Sequence, residues 1–308
     1  MDDKPYADFG VFLKKYFRGK VQKISINAGF TCPNRDGTKG NGGCTYCNNQ
    51  TFSPEYCHTD KSITEQLQEG IGFFGRKYPD MEYLAYFQAY TNTYGPVSYL
   101  REIYTAALIL PEVAGISIAT RPDCLGPEVL SLLAQLKERF PGKFIWIELG
   151  LQTMHEHTAA FIRRGYKLSC FEDALEKLQE RKLETVVHTI LGLPGENTEN
   201  ILETMRYLNA HHIDGIKLQL LHVLKHTDLA DYYGQTGFHI LSEDEYVDLV
   251  IHCLEVLSPD ITIHRLTGDG PSDLLIAPLW SLKKRSVLNH IHHELKVRDT
   301  WQGRLFTE

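Results

Sequence analysis

The sequence predicts a parallel β/α fold, and three observations lead there. Six short apolar or β-branched runs recur at 24–27, 84–88, 115–119, 144–149, 185–191 and 213–220, each bounded by turn-forming or polar residues, as buried parallel strands are. Amphipathic stretches with recognisable helix starts lie between them. Beyond the β/α alternation there is no internal repeat, low-complexity segment or Gly/Ser/Pro-rich linker. The 308 residues suit two average domains or one large α/β domain, and an uninterrupted series of strand-helix units favours the second.

In chain order, the first ten residues carry three aspartates and no apolar stretch, so neither a signal nor a transit peptide is expected. No apolar run approaches bilayer length, and a cytoplasmic protein with reduced thiols is the expectation. The first strand leads into a cysteine-bearing loop. A helix follows from Ser62, which with Glu65 matches the capping-box pattern, and Ile63, Leu67, Ile71 and Phe74 mark its apolar face. Pro96 and Pro127 stand where proline opens the helices after the second and third strands. Ser169 with Glu172, and Ser242 with Glu245, repeat the capping-box pattern. The remainder, 261–308, adds a strand-like run at 261–264 and a basic helix from about 281 to 296. It reads as an extension packed on the main unit of residues 1–260, since no linker sets it apart.

Chemistry enters with Cys32, Cys44 and Cys47, in Thr31-Cys32-Pro33-Asn34 and Gly43-Cys44-Thr45-Tyr46-Cys47-Asn48, spaced by eleven residues and then two. Iron-sulfur clusters normally take four thiolates. A compact set of three suggests a four-iron cluster whose last coordination site is kept for a substrate or cofactor. Two other readings use the same residues. Cys57 or His58 would complete a tetrahedral zinc site. A disulfide framework fits less well with seven cysteines, an odd number.

A net charge of −7 argues against nonspecific coating of nucleic acid. The charge is uneven, however. No acid lies between Asp8 and Asp36, where Lys14, Lys15, Arg18, Lys20, Lys23 and Arg35 are basic. None lies between Asp273 and Glu294, which holds Lys283, Lys284, Arg285, His290, His292 and His293. Such stretches are either solvated faces or phosphate-facing surface.

The cysteine loop resembles that of the radical S-adenosylmethionine (radical SAM) enzymes. The first gap exceeds the commonest family spacing, as it does in the branch related to the Elongator catalytic subunit. The resemblance implies a partial (β/α)6 TIM-like barrel with a C-terminal extension, its cofactors at the C-terminal ends of the strands. It implies a [4Fe-4S] cluster on Cys32, Cys44 and Cys47. The amino and carboxylate groups of S-adenosyl-L-methionine would chelate the open iron, and one electron would cleave the cofactor to a 5'-deoxyadenosyl radical.

The residues after each strand extend the resemblance. Tyr46 lies inside the Cys-x-x-Cys. Gln88, Tyr90 and Thr91 stand where the family uses Gly-Gly-Glu for the methionyl amine, in a run where Asn92 and Thr93 suit a capping turn. Thr120-Arg121-Pro122-Asp123 resembles the Thr-Arg-Pro-Asp element of the Elongator-type branch, so Arg121 would pair with a carboxylate of cofactor or substrate. Glu148, an acid in an apolar strand, needs a partner; with Gln152 it matches Glu-x-Gly-x-Gln, which contacts the amine and ribose. Arg164-Gly165-Tyr166 resembles an Arg-Gly-His element, which carries Arg164 over. Gly192 and Leu193 belong to a Gly-Leu-Pro-Gly-Glu turn near the adenine, and His222 and Lys225 follow the sixth strand toward the substrate.

The branch implies modification of a tRNA wobble uridine, from a 5-carboxymethylaminomethyl to a 5-aminomethyl side chain, with a flavodoxin or ferredoxin-type electron donor and no membrane partner. The chain is too short for the acetyltransferase domain of the Elongator subunit. Radical oxidation of a small molecule of the coproporphyrinogen type and a zinc-stabilised nucleic-acid-binding module are the alternatives. Cys57, Cys124 and Cys170 receive no role, and Cys253 reads as packing.

Overall fold

Alternation along the strands decides which residues face helices and which face the concave side of the sheet. The computed structural model describes residues 4–17, 19–48, 54, 56–75, 81–268 and 270–307. Among them the strands are β1 (Val21–Ile26), β2 (Glu82–Phe87), β3 (Val113–Thr120), β4 (Phe144–Gln152), β5 (Glu184–Leu191), β6 (Gly215–Leu220), β7 (Val223–Leu224), β8 (Thr262–Arg265) and β9 (Leu275–Ala277). Seven of them form one parallel sheet in the order β1-β2-β3-β4-β5-β6-β8. It curls into a half-barrel, the partial TIM-like barrel expected, and β7 and β9 form a separate antiparallel pair.

On the convex face Ile24, Phe87, Ile116, Ile147, Val187, Leu218 and Ile263 are all buried in one continuous core. Helices α1 (Phe9–Lys14), α2 (Ile63–Gly75), α3 (Val97–Leu108), α4 (Pro127–Arg139), α5 (Glu156–Phe161), α6 (Leu168–Glu180), α7 (Thr198–Ala210), α8 (Asp228–Thr236), α9 (Glu243–Val256) and α10 (Lys284–Val297) fill the connections. Leu67, Leu100, Leu133, Leu178, Leu208 and Val250 supply the helical side of that core. Each fully buried side chain of this kind contributes about 1.5–3 kcal/mol.

Two of the three expected capping boxes form. Ser62 and Glu65 exchange bonds at 2.7 and 3.2 Å, and Ser242 and Glu245 at 2.7 and 3.3 Å. Ser169 and Glu172 do not, because α6 begins at Leu168, whose N–H is taken by Glu156 Oε1 at 2.6 Å, and Ser169 falls inside the helix. An unforeseen box joins Asn197 and Asn200 ahead of α7.

The C-terminal segment extends the sheet rather than only covering it. β8 pairs with β6, Ile263 N donates to Ala7 O at 2.7 Å, and Gln302 Nε2 reaches Ser258 O and Ile261 O. The basic helix starts later than expected, because residues 279–283 form a 3₁₀ turn first. Among the described residues no helix is long and apolar enough to cross a membrane.

Candidate active site

After β1 the chain folds back on itself. Gly43 N donates to Asn34 O at 2.8 Å, Gly37 N to Gly40 O at 3.1 Å, and Asp36 and Asn41 form an antiparallel bridge. The eleven-residue gap thus closes as a hairpin that returns Cys44 toward Cys32. Cys47 N donates to Cys44 O at 3.0 Å, and Arg35 Nη1 holds Cys47 O at 3.3 Å. The loop is pinned across the strand ends: Thr45 N donates to Ile162 O, and Leu229 N to Thr45 O. Asn34 Nδ2 bridges Arg163 O at 2.7 Å and Cys44 Sγ at 3.5 Å. Gly165, at φ +81°, makes the docking possible, since a Cβ there would stand 2.7 Å from Asn34 Oδ1.

A cavity of about 280 Å³ opens at the C-terminal ends of the strands. It gathers Cys32, Cys44, Cys47, Tyr46, Gln88, Tyr90, Thr91, Arg121, Glu148, Gln152, Arg164 and His222. Three sequence-predicted residues do not line it. Gly192 sits at the end of β5 with φ +86°, and Leu193 is buried in an apolar cluster against which Tyr46 packs. Lys225 is drawn aside by the β7–β9 pair, its N–H on Leu274 O at 2.8 Å and its Nζ on Asp273 O at 2.7 Å.

Burial raises the Cys44 thiol and pushes that of Cys47 up to about 12, against the opposing pull of Arg121 and Arg35. Coordinated metal reverses such a preference by deprotonating the thiol outright. Cys57 is buried away from the cavity wall, as the zinc reading would not have it. Among the described residues no three His, Cys, Asp or Glu side chains are placed to hold one metal ion. A four-iron cluster asks something else, one thiolate per iron.

The remaining wall also fits a bound cofactor. Tyr90 and Gln152 hold left-handed backbone at φ 64° and 67°, which persists only where surrounding structure enforces it. Gln152 Oε1 is buried without a hydrogen-bond partner, a cost of about 1–3 kcal/mol that a donor on a ligand would remove.

With this geometry in place, the family model described as Radical SAM superfamily matches residues 35–208, and that described as Radical_SAM C-terminal domain matches residues 213–297. The chain belongs to the radical SAM superfamily. YtqA of Bacillus subtilis (strain 168) is 42% identical over 99% of this chain and 94% of its own length. Elongator complex protein 3 of Homo sapiens is 26% identical over 60% of this chain, which spans about a third (32%) of that longer protein. The structure of the archaeal Methanocaldococcus infernus Elp3 shares the fold with TM-score 0.70 over 92% of this chain and 64% of that one, at 14% identity. Radical SAM homologues bind a [4Fe-4S] cluster and S-adenosylmethionine.

Several side chains of this radical SAM site were not legible beforehand. Glu148 is fully buried and accepts from Lys23 (3.0 Å), Ser117 (2.7 Å), Tyr86 (2.8 Å) and His188 Nε2 (2.8 Å), and from Lys217. Burial alone would raise its pKa, but the ammonium groups of Lys217 and Lys23 outweigh that and hold it well below the carboxylate range. Lys23 therefore points into the half-barrel, contrary to its inclusion in a surface basic stretch. Arg121 grips Asp123 with two bonds at 2.9 and 3.0 Å, and Lys39 completes that carboxylate at 2.8 Å. Tyr166 lies between Arg121 and Arg164, whose guanidinium carbons stand 4.8 and 4.9 Å from its ring centre. Arg164 is buried, donating to Thr153 O at 2.6 Å and Leu151 O at 3.1 Å. A lone lysine in an apolar strand, Lys217, was the available signal for the Glu148 cluster.

Proposed function

We propose that the protein is a radical SAM enzyme that oxidises the 5-carboxymethylaminomethyl side chain of a tRNA wobble uridine, leaving 5-aminomethyl. The observation that carries the enzyme reading is the convergence of Cys32, Cys44 and Cys47 with Tyr90 and Gln152 in one cavity at the strand ends. In this reading the three cysteines would hold a [4Fe-4S] cluster, which, re-reduced by a flavodoxin or ferredoxin-type donor, would supply the one-electron chemistry that S-adenosylmethionine needs to become a hydrogen-abstracting reagent. Gln152 Oε1 accepts from the cofactor, with Gln88, Tyr90 and Thr91 on the neighbouring strand end. Arg121 and Arg164 fix the turn that carries Tyr166.

The substrate side chain suits this chemistry. The carbon between nitrogen and carboxylate would lose a hydrogen atom to the radical that the cofactor supplies and then one electron to a one-electron acceptor such as an oxidised iron-sulfur or flavin carrier. Water adds to the resulting imine, releasing the amine and glyoxylate. An RNA substrate is supported by the likeness to Elongator complex protein 3. It is supported too by exposed Lys283 and Arg285 on the segment that Ser281 joins to His222, at 3.1 Å, on the cavity wall.

Mass spectrometry of tRNA nucleosides from a deletion strain tests the substrate: 5-carboxymethylaminomethyluridine should accumulate, and an unchanged profile overturns it. Anaerobic reconstitution tests the class. Iron and sulfide should give a brown protein that forms 5'-deoxyadenosine when reduced, and a colourless zinc protein would defeat the reading.

A further inference from the structure

Three consecutive carbonyls just past α5 receive the cysteine loop and the wall beside it. Ile162 O takes the N–H of Thr45 at 3.1 Å, Arg163 O takes Asn34 Nδ2 at 2.7 Å, and Arg164 O takes Arg121 Nη1 at 3.0 Å. Carbonyls at a helix end lack a partner within the helix, so they can hold other segments. Thr45 and Arg121 make ordinary docking bonds there. Asn34 differs, since the same nitrogen also stands 3.5 Å from Cys44 Sγ.

The surroundings leave that amide one orientation. The end facing Arg163 O must carry the hydrogens, because two carbonyl oxygens would repel at 2.7 Å. The amide oxygen lies between two glycines: a Cβ on Gly40 would stand 2.5 Å from Asn34 Oδ1, and one on Gly165 2.7 Å. Asn34 is buried, and Gly43 N closes the hairpin on its main-chain oxygen at 2.8 Å. With one N–H on Arg163 O, the second N–H of the amide is directed at the sulfur.

We propose that Asn34 is a positioning residue that raises the reduction potential of the cluster by donating a hydrogen bond to the Cys44 sulfur. The proposal rests on the function proposed above, in which Cys44 is a ligand of that cluster. Reduction adds one electron, makes and breaks no bond, and leaves more negative charge on the sulfurs. A donor aimed at a sulfur therefore favours the reduced form, as charge-assisted bonds around a metal site do. Water also favours the reduced form, and would reach it if the loop opened. Losing the donor and opening the loop thus move the potential in opposite directions, down for the first and up for the second.

Two variants test the donor. Asn34→Leu keeps the bulk of the side chain and removes both N–H groups. Gly40→Ala leaves Asn34 in place, at a position where the backbone is not left-handed, and crowds the amide oxygen. Wild type and both variants are reconstituted anaerobically with iron and sulfide, without S-adenosylmethionine. Electron paramagnetic resonance and visible absorbance then follow reduction at controlled potentials, while melting temperature and iron content report folding and loading. At a fixed potential the ratio of reduced to oxidised cluster should fall about threefold or more in Asn34→Leu, a midpoint lower by about 28 mV for one electron. Gly40→Ala should give a smaller shift of the same sign, and it carries the test by itself if Asn34→Leu does not fold. An unchanged midpoint in the loaded variants overturns the proposal, and so does a higher one, which would make Asn34 a pin that keeps water out. Folded variants that load no iron overturn it too, since Asn34 would then build the site rather than tune it. A wild type that assembles no cluster defeats the reading of the three cysteines, whereas a normal cluster with an unmoved midpoint defeats the role of Asn34 alone.

Discussion

Trp146 and Glu148 lie two residues apart on β4 and face the same concave side, yet they belong to opposite ends of the half-barrel. At the N-terminal end Trp146 stacks on Phe144 at 4.6 Å and meets Phe9 and Phe12 of α1 at 5.3 and 6.2 Å. Leu84, Ala114 and Val186 complete that apolar cluster. Two positions on, Tyr86, Glu148, His188 and Lys217 form a connected polar network. The same alternation that directs both sets inward thus builds a plug at one end and a charged floor at the other. The plug gains from every contact it makes. Each end holds a buried polar atom without a hydrogen-bond partner, His264 Nδ1 beside Phe9 and Trp146 and Gln152 Oε1 at the strand ends. The open end, however, adds left-handed backbone at Tyr90 and Gln152, a feature that lowers stability unless something binds.

The largest test of this division is Cys44→Ala. It should abolish cluster assembly, taking iron content and visible absorbance to background and ending 5'-deoxyadenosine formation, while the cluster-free protein melts close to the cluster-free wild type. A large fall in that melting temperature would show the loop to be part of the fold's support. Trp146→Ala is the counterpart at the closed end. Truncating a packed aromatic costs about 3–5 kcal/mol, readable as a lower denaturant midpoint. The folded fraction should still bind S-adenosylmethionine with unchanged affinity, and weakened binding would show that the two ends are coupled.

Acid should act on the floor rather than the plug. His188 sits against Glu148 of β4 and Lys217 of β6, near Arg265 of β8, with Gln219 Nε2 3.3 Å from its Nδ1. Burial, then Lys217, pushes its pKa down from 6.5 to about 4. The unfolded chain takes up a proton as pH falls below 6.5, whereas the folded chain resists until about 4. The contribution of His188 to stability is therefore full above 6.5 and is lost through that window, by roughly 3 kcal/mol. Urea titrations of wild type should show this slope, and His188→Gln should flatten it. An equal slope in the variant would move the effect elsewhere.

How far the sequence discloses the molecule follows the same division. Strands are legible because apolar runs between turn signals depend on local pattern alone, and the cysteine spacing is legible for the same reason. The cavity's polar floor is not, since Lys23 and Lys217 meet Glu148 from 125 and 69 residues away. A register skip decides where Arg265 points, and no residue type announces it. Ser169 shows the converse failure: a local capping pattern is present, but Glu156 from the preceding helix supplies the cap. Lys225 has the right place after β6, and the short β7–β9 pair turns it away from the cavity.

The smallest effect expected is also the most discriminating. Gln152 combines a left-handed backbone, at φ 67°, with a buried carbonyl oxygen that no group satisfies. Glycine accepts that conformation freely, and its lack of a side chain removes the orphan atom. Against this, glycine has more freedom to lose on folding. The sum for Gln152→Gly should be a cofactor-free protein as stable as wild type or more stable by about 1 kcal/mol. Its affinity for S-adenosylmethionine should fall severalfold, because the oxygen was held for a donor. At the plug every truncation should destabilise, so a gain of stability with a loss of binding is a signature only the open end can give. If Gln152→Gly instead destabilises the protein and leaves cofactor affinity unchanged, then Gln152 is packing, and the contrast between the two ends does not extend to that strand end.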